Sequence, residues 1–431
     1  MVRPGSVVRP RASLVLALAL VAGLSPTAHG QQHGFTWQQI RDRFEATNPA
    51  LLADTLNIDE VKAQEITAHL RPNPNLNLET DGTQIAPYQG VWRPFAGTDV
   101  EAGFSYLHER AHKRELRFES AQKATAIAES SHADLERGLL FNLRAAFVST
   151  LAAKAVVQLA KDNLAYYDHV LEISRERFKA GDIAQLDLDR LELQRLQYES
   201  DLESAEVNLR TAKIQLLTLL NDRTQVEQFD VTGSFDFVDQ LASRDEFRKI
   251  ALDTRPDLKA ALEAIEKAQT DHKLAMANGS TDPTLAAWWT YNPSFNNPYA
   301  HQTLGASVSV PLRIFDHNQG EKLRTQVDIA RTQRLRDASE AQVFGDVDSA
   351  YATVESTLIL LRPYKARYLQ QSVRVRDTVF FSYQNGGASL LDFLNAQSEY
   401  RSIQLSYVNL VGAYLTAAAQ LNMAVGREAL P

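Results

Sequence analysis

The chain has no cysteine in 431 residues, which excludes a disulfide framework, a thiolate metal site and a lipid-bearing cysteine at a mature N-terminus. It also lacks any block of like charge. Charged residues, 23% of the total, are dispersed along stretches of helical spacing, and with 44% apolar residues the composition fits neither a disordered chain nor a polytopic helical membrane protein. Basic residues are in deficit, 45 Lys and Arg against 53 Asp and Glu. Nucleic acid and anionic lipid headgroups are therefore poor partners, and cations are the better cargo. No phosphate-cradling glycine loop and no nucleophile elbow occur, so energy for any transport must come from a partner.

What is present begins with a leader. Arg3, Arg9 and Arg11 precede an apolar run from Leu14 to Leu24, and Ala28-His29-Gly30 offers small residues where a signal peptidase reads them. The run is about half the ~20 residues of a membrane-spanning helix, so residues 1–30 are expected to be a removed export signal. Loss of their three arginines takes the formal charge from -8 to -11.

Past the leader the chain is written twice, with matches at a separation near 205 residues. "RFKAGDIAQLDLDRL" from Arg177 aligns with "SYQNGGASLLDFLNA" from Ser382: Phe178 meets Tyr383, Gly181 meets Gly386, Leu186 meets Leu391 and Asp187 meets Asp392. The expected organisation is a first repeat over 31–221, a linker over 222–243 and a second repeat over 244–431. From about Arg110 to Phe178, and again from about Glu321 to Tyr383, apolar residues recur at spacings of three and four, as Leu140, Leu143, Phe147 and Leu151 do. At about 1.5 Å per residue such helices are rods of roughly 100 Å. Each stops at glycine, Gly181 or Gly386-Gly387, and a second amphipathic helix returns from there, so helical tips are expected near 178–187 and 383–392. In the linker, "DVTGSFDF" suggests a short strand.

Ahead of each rod the period falls to two. Strands are expected at about 73–83 and 98–109, and at about 283–292 and 301–314, as two hairpins whose strands of about ten residues suit a tilted membrane crossing. Trp92, Trp288, Trp289 and Tyr291 are candidates for an interfacial aromatic girdle. Four strands cannot close a barrel, and an open edge in lipid leaves several kcal/mol per unpaired backbone group. Other copies must complete the sheet; periodicity alone does not choose between two copies and three.

One motif points elsewhere. "LHERAH", residues 107–112, holds His108, Glu109 and His112 in the HExxH spacing of zinc peptidases. The second repeat aligns "IFDHNQGEKLR" with "LHERAHKRELR", setting Phe315 opposite His108 and Gln319 opposite His112. Arg110, Lys113 and Arg114 add cations beside the would-be ligands, which weakens Zn²⁺ binding. A surface helix start is the expectation, with no catalytic residue, metal or cofactor.

The order of strand hairpin, very long helix, Tyr/Phe-x-x-Gly-x-x-x-x-Leu-Asp turn and returning helix, repeated behind a signal peptide, resembles the TolC family of outer membrane efflux proteins. "RPNPNLNLE" from Arg71 and "VPLRIFDHNQG" from Val310 look like its CzcC-type members, which serve heavy-metal resistance pumps. The resemblance implies a mainly α protein with a small membrane β-barrel: a homotrimer with a twelve-stranded barrel in outer membrane lipid, continuing into a periplasmic α-helical tunnel. It also implies a periplasmic adaptor (membrane fusion protein) and an inner-membrane pump, of RND type, as partners at the tip. Phe178, Gly181, Asp187, Asp189, Tyr383, Gly386 and Asp392 are the candidate tip and gate residues, and rings of the three aspartates would favour cations in a narrow pore. The same aspartates also suit the start of the returning helices. Ile183 and Ala388 stand where the best-known member has an arginine in one repeat, so a gate held by that arginine is not expected. Export of divalent metal cations is the leading function, with drugs, solvents or type I polypeptide secretion as alternatives and a zinc peptidase as the remote one.

Overall fold

The computed structural model describes residues 34–292 and 300–430, and the expected export signal over 1–30 lies outside them. Each half of the chain opens with a pair of helices that the sequence reading did not assign: α1 (Trp37–Thr47) and α2 (Pro49–His69), then α5 (Arg244–Thr254) and α6 (Pro256–Asn278). The pairs share a device. Pro49 and Pro256 sit at the first helical position, where a missing N–H costs nothing. The Asn48 side chain caps α2 by accepting from the backbone N–H groups of Ala50 and Leu51 at 3.0 and 3.1 Å.

Next comes a strand hairpin in each half, β1 (Asn75–Asp81) with β2 (Asp99–Leu107), and β3 (Thr284–Tyr291) with β4 (Gln302–Ser309). The four form one antiparallel sheet in the order β1-β2-β3-β4, because β2 also pairs with β3 across the halves. β4 ends well short of the expected residue 314, since Pro311 has no N–H to give a ladder.

The rods follow. α3 (Lys113–Ala180) is an unbroken helix of 68 residues, about 100 Å long, and α4 (Gln185–Leu219) returns beside it. In the second half the rod is interrupted: α7 (Gln319–Pro363) passes through a π-helical turn (Tyr364–Tyr368) into α8 (Leu369–Gln384), and α9 (Leu390–Val425) returns. Pro363 explains the break, because its ring displaces the carbonyl four residues back. Although α3 and α9 hold stretches apolar enough to cross a membrane, their apolar residues supply the core. Leu143, Phe147 and Val148 of α3 and Val411, Tyr414 and Leu421 of α9 are buried.

Near the sheet, the helix seams are polar instead. Ser130 of α3 donates to Glu263 of α6 at 2.7 Å, Thr270 donates to Glu119 at 3.0 Å, and His132 meets Asp54 of α2 at 2.8 Å. "DVTGSFDF" forms no strand. Val231 makes one isolated parallel bridge with Phe35, and the segment beyond it is a strap bound through side chains, with Lys365 reaching Asp236 at 2.6 Å and Arg362 reaching Asp239 at 2.6 Å.

Candidate channel wall and tip

The strand register sorts the sheet into two chemically distinct faces. Leu285 pairs with Val308 and Tyr106, Ala287 with Ala306 and Phe104, and Trp289 with Leu304 and Ala102, while Phe104 and Ala102 pair with Leu76 and Leu78. Partners in register point the same way, so these residues make one continuous apolar face, on which Leu76, Leu78, Phe104, Leu304 and Val308 are exposed. The opposite face carries Asn75, Asn77, Glu79, Glu101, Ser105, Thr290, Thr303 and Ser307. An apolar outside and a polar inside is the pattern of a barrel wall around water.

That sorting corrects the aromatic assignment. Trp289 and Tyr291 lie on the apolar face with rings stacked at 6.5 Å, and Trp92 is exposed in the loop at the sheet end farthest from the helices. Trp288, one residue from Trp289, points to the polar face and cannot share their girdle. Its indole lies across Gly305, where a Cβ would come within 2.3 Å of the ring.

HERAH is not on a helix. His108 follows the end of β2, and its N–H donates to Pro283 O at 2.9 Å; Ala111 and His112 have left-handed φ of 57° and 56°, and α3 starts only at Lys113. The two imidazoles therefore lack the one-turn spacing that Zn²⁺ needs. Glu109 is bound by the Arg117 guanidinium, and Lys113 is buried with its Nζ on Asp282 at 2.6 Å and on Ser280 O at 2.9 Å. The segment is a strand-to-helix clamp. Among the described residues no group of three or more His, Cys, Asp or Glu could hold a metal ion. His108→Ala with His112→Ala should leave stability within about 0.5 kcal/mol, as for ordinary surface changes, and leave zinc content unchanged. A stoichiometric zinc lost with the histidines would contradict this.

At the far end of the rods the two tips meet. Gly181 and Gly386 take the left-handed φ values of 85° and 77° that stop a helix without a Cβ penalty. Tyr383 is buried and stacks on Phe393 at 5.5 Å, within one cluster that also holds Tyr167, Leu188, Leu191 and Tyr198 and has Phe178 and Ile183 at its edge. The three aspartates differ. Asp392 completes a capping box, its carboxylate accepting from Ser389 N–H at 3.0 Å and from Ser389 Oγ at 2.7 Å. Those donors hold its pKa below the usual carboxylate range. Asp189 accepts from Gln185 at 2.7 Å. Asp187 stands in the first turn of α4, half-buried, with no side-chain hydrogen bond among the described residues.

Sequence reasoning missed Arg177. Its guanidinium lies 5.2 Å over the Tyr383 ring, and Nη1 donates to Tyr383 O at 3.4 Å, so the first tip is tied to the second. The available signal was the mismatch in the aligned repeats, where Arg177 faces Ser382. The tie is made from the position before Phe178, not from Ile183 or Ala388.

Residues 248–427 match the family model described as outer membrane efflux protein. The chain is 26% identical over 323 residues to the pyoverdine export outer membrane protein OpmQ of Pseudomonas aeruginosa, covering 73% of this chain and 66% of that one. It is 21% identical over 383 residues to the cobalt-zinc-cadmium resistance protein CzcC of Cupriavidus metallidurans, covering 88% and 87%. Among solved structures it superposes on CusC with a TM-score of 0.75 at 17% identity, over 91% of this chain and 92% of that one. On VceC of Vibrio cholerae the TM-score is 0.72 at 16% identity, over 91% and 96%. The outer membrane efflux protein model thus matches the second half of the chain, and over nine-tenths of its length the chain shares the fold of solved outer membrane proteins of this kind, with a sheet apolar on one face and polar on the other.

Proposed function

We propose that the protein is a passive exit duct. Three copies join their sheets into a twelve-stranded barrel and their helices into a periplasmic tunnel, and an adaptor and an RND-type inner-membrane pump dock at the tips and supply the energy. The observation that carries this is that one subunit is unfinished at both levels. β1 and β4 each leave one row of backbone groups unpaired, which in hydrocarbon costs several kcal/mol per group. Along α4, Leu186, Leu193, Val207 and Ile214 are exposed on one seven-residue repeat that also includes Ser200, the spacing of a seam that takes another helix. α4 carries seven acidic residues against four basic, and the π turn with α8 four basic against one acidic. A head-to-tail ring lets these two edges meet with complementary charge. The mature protein should run from outer membrane extracts as a heat-modifiable trimer, and a stable monomer purified without detergent would refute the assembly.

For cargo we propose divalent heavy-metal cations, supported by the acidic surplus of the chain and by its similarity to the cobalt-zinc-cadmium resistance protein CzcC. The pyoverdine export relative supports small organic cargo as the second reading. A deletion strain should become sensitive to cobalt, zinc or cadmium and regain resistance with the wild-type gene. Sensitivity to organic compounds alone would replace the cargo and leave the duct standing.

A further inference from the structure

Where α1, the middle of α3, the linker strap and the end of α9 converge, they surround a cavity of about 680 Å³, within the range of about 300–1,000 Å³ typical of small-molecule sites. Trp37, Leu140, Phe147, Leu151 and Leu415 make its walls largely apolar. Arg144 stands among them, its guanidinium 4.6 Å from the Trp37 ring centroid and 5.9 Å from that of Phe147. Among the other charged groups at the cavity, Glu136 attracts Arg41 through space, Arg427 is exposed, and four more are engaged. Arg41 binds Glu45 at 2.7 Å, Arg137 binds Asp134 at 2.5 Å, Asp236 binds Lys365 at 2.6 Å, and Glu428 accepts from the Trp37 indole at 3.2 Å. Arg144 has ring contacts but no hydrogen bond or ion pair among the described residues, and only Glu428 attracts it through space. Its pKa is pulled down by burial, the mark of a cation without a compensating partner, yet a guanidinium stays charged.

We infer that this cavity binds a small amphipathic monoanion, a carboxylate on an apolar body, with the Arg144 fork on the carboxylate and the Trp37–Phe147 wall on the body. A planar fork with free donors matches a carboxylate bidentately, and because Arg427 is exposed, Arg144 is the partly buried cation without a hydrogen bond or ion pair that stands against the aromatic wall, which suits one negative charge better than several. The site lies in the tunnel wall, so it adds a ligand-binding function to conduction and stands apart from the tip.

The test uses wild-type protein reconstituted in nanodiscs, with 4-phenylbutyrate and the neutral 4-phenylbutanol as probes in titration calorimetry. The acid should bind saturably, at least tenfold more tightly than the alcohol and more weakly in high salt. Arg144→Gln should abolish that preference and Arg144→Lys keep part of it. Leu140→Trp, which fills the cavity, should remove binding of both probes with the assembly intact, and it decides the matter if Arg144→Gln fails to assemble. Equal binding of acid and alcohol overturns the inference, as does acid binding that survives Arg144→Gln or Leu140→Trp. Absence of saturable binding to the wild type, as when a neighbouring copy already occupies the cavity, overturns it too.

Discussion

Ala287→Arg is expected to cost about 2 to 4 kcal/mol of stability in a bilayer, and Ala286→Arg, one residue earlier, far less. The two alanines are chemically identical and adjacent in β3, but Ala287 pairs with Ala306 and Phe104 on the apolar face, whereas Ala286 pairs with Ser307 and Ser105 on the polar one. In the proposed barrel an arginine at Ala287 would sit near mid-strand, too far from either water layer to extend its charge out of the hydrocarbon, while at Ala286 it would face the water inside. Urea titrations of folding into lipid vesicles, alongside the heat-modifiable trimer on gels, measure the difference. Equal losses for the two variants would overturn the assignment of lipid and lumen faces.

The second large effect is at the tip. In planar bilayers Asp187→Asn should lower cation-over-anion permeability by up to about tenfold, the lower end of the range over which a cleft of one charge sign concentrates counter-ions. Asp392→Asn should lower it much less. Asp392 spends its carboxylate on the Ser389 cap, whereas the Asp187 carboxylate is not held by a hydrogen bond among the described residues and is free to face a permeating ion. Because charges beyond about 8 Å are screened at physiological ionic strength, the effect should grow as the salt is diluted. Reversal potentials across a salt gradient read it directly. If Asp392→Asn has the larger effect, the division of roles between the tips is reversed. If neither variant changes selectivity while the trimers stay intact, the aspartates serve only as helix starts, and the duct stands without a cation filter.

The sequence by itself determined the elements whose cause is local. Three-and-four spacing marks α3, two-residue alternation marks the four strands, and a glycine able to adopt positive φ marks each tip, at Gly181 and Gly386. The repeat near 205 residues carried those readings from one half to the other. Where a local signal was ambiguous, so was the reading. HERAH has helical spacing in a segment that precedes the helix, and Trp288-Trp289 reads as one aromatic pair although successive strand residues face opposite ways.

Only the tertiary structure decided what depends on partners distant in sequence. The pairing of β2 with β3 sorts the sheet into an apolar and a polar face, because register between strands is set by contacts nearly two hundred residues apart, such as Ala102 with Trp289. The meeting of the tips assigns Arg177 to the Tyr383 ring across two different helices, and the cap at Ser389 separates Asp392 from Asp187 although their sequence positions match. The physical reason is the same in each case: periodicity constrains one element's own backbone, while faces, ties and free carboxylates are properties of the neighbours that folding brings alongside it.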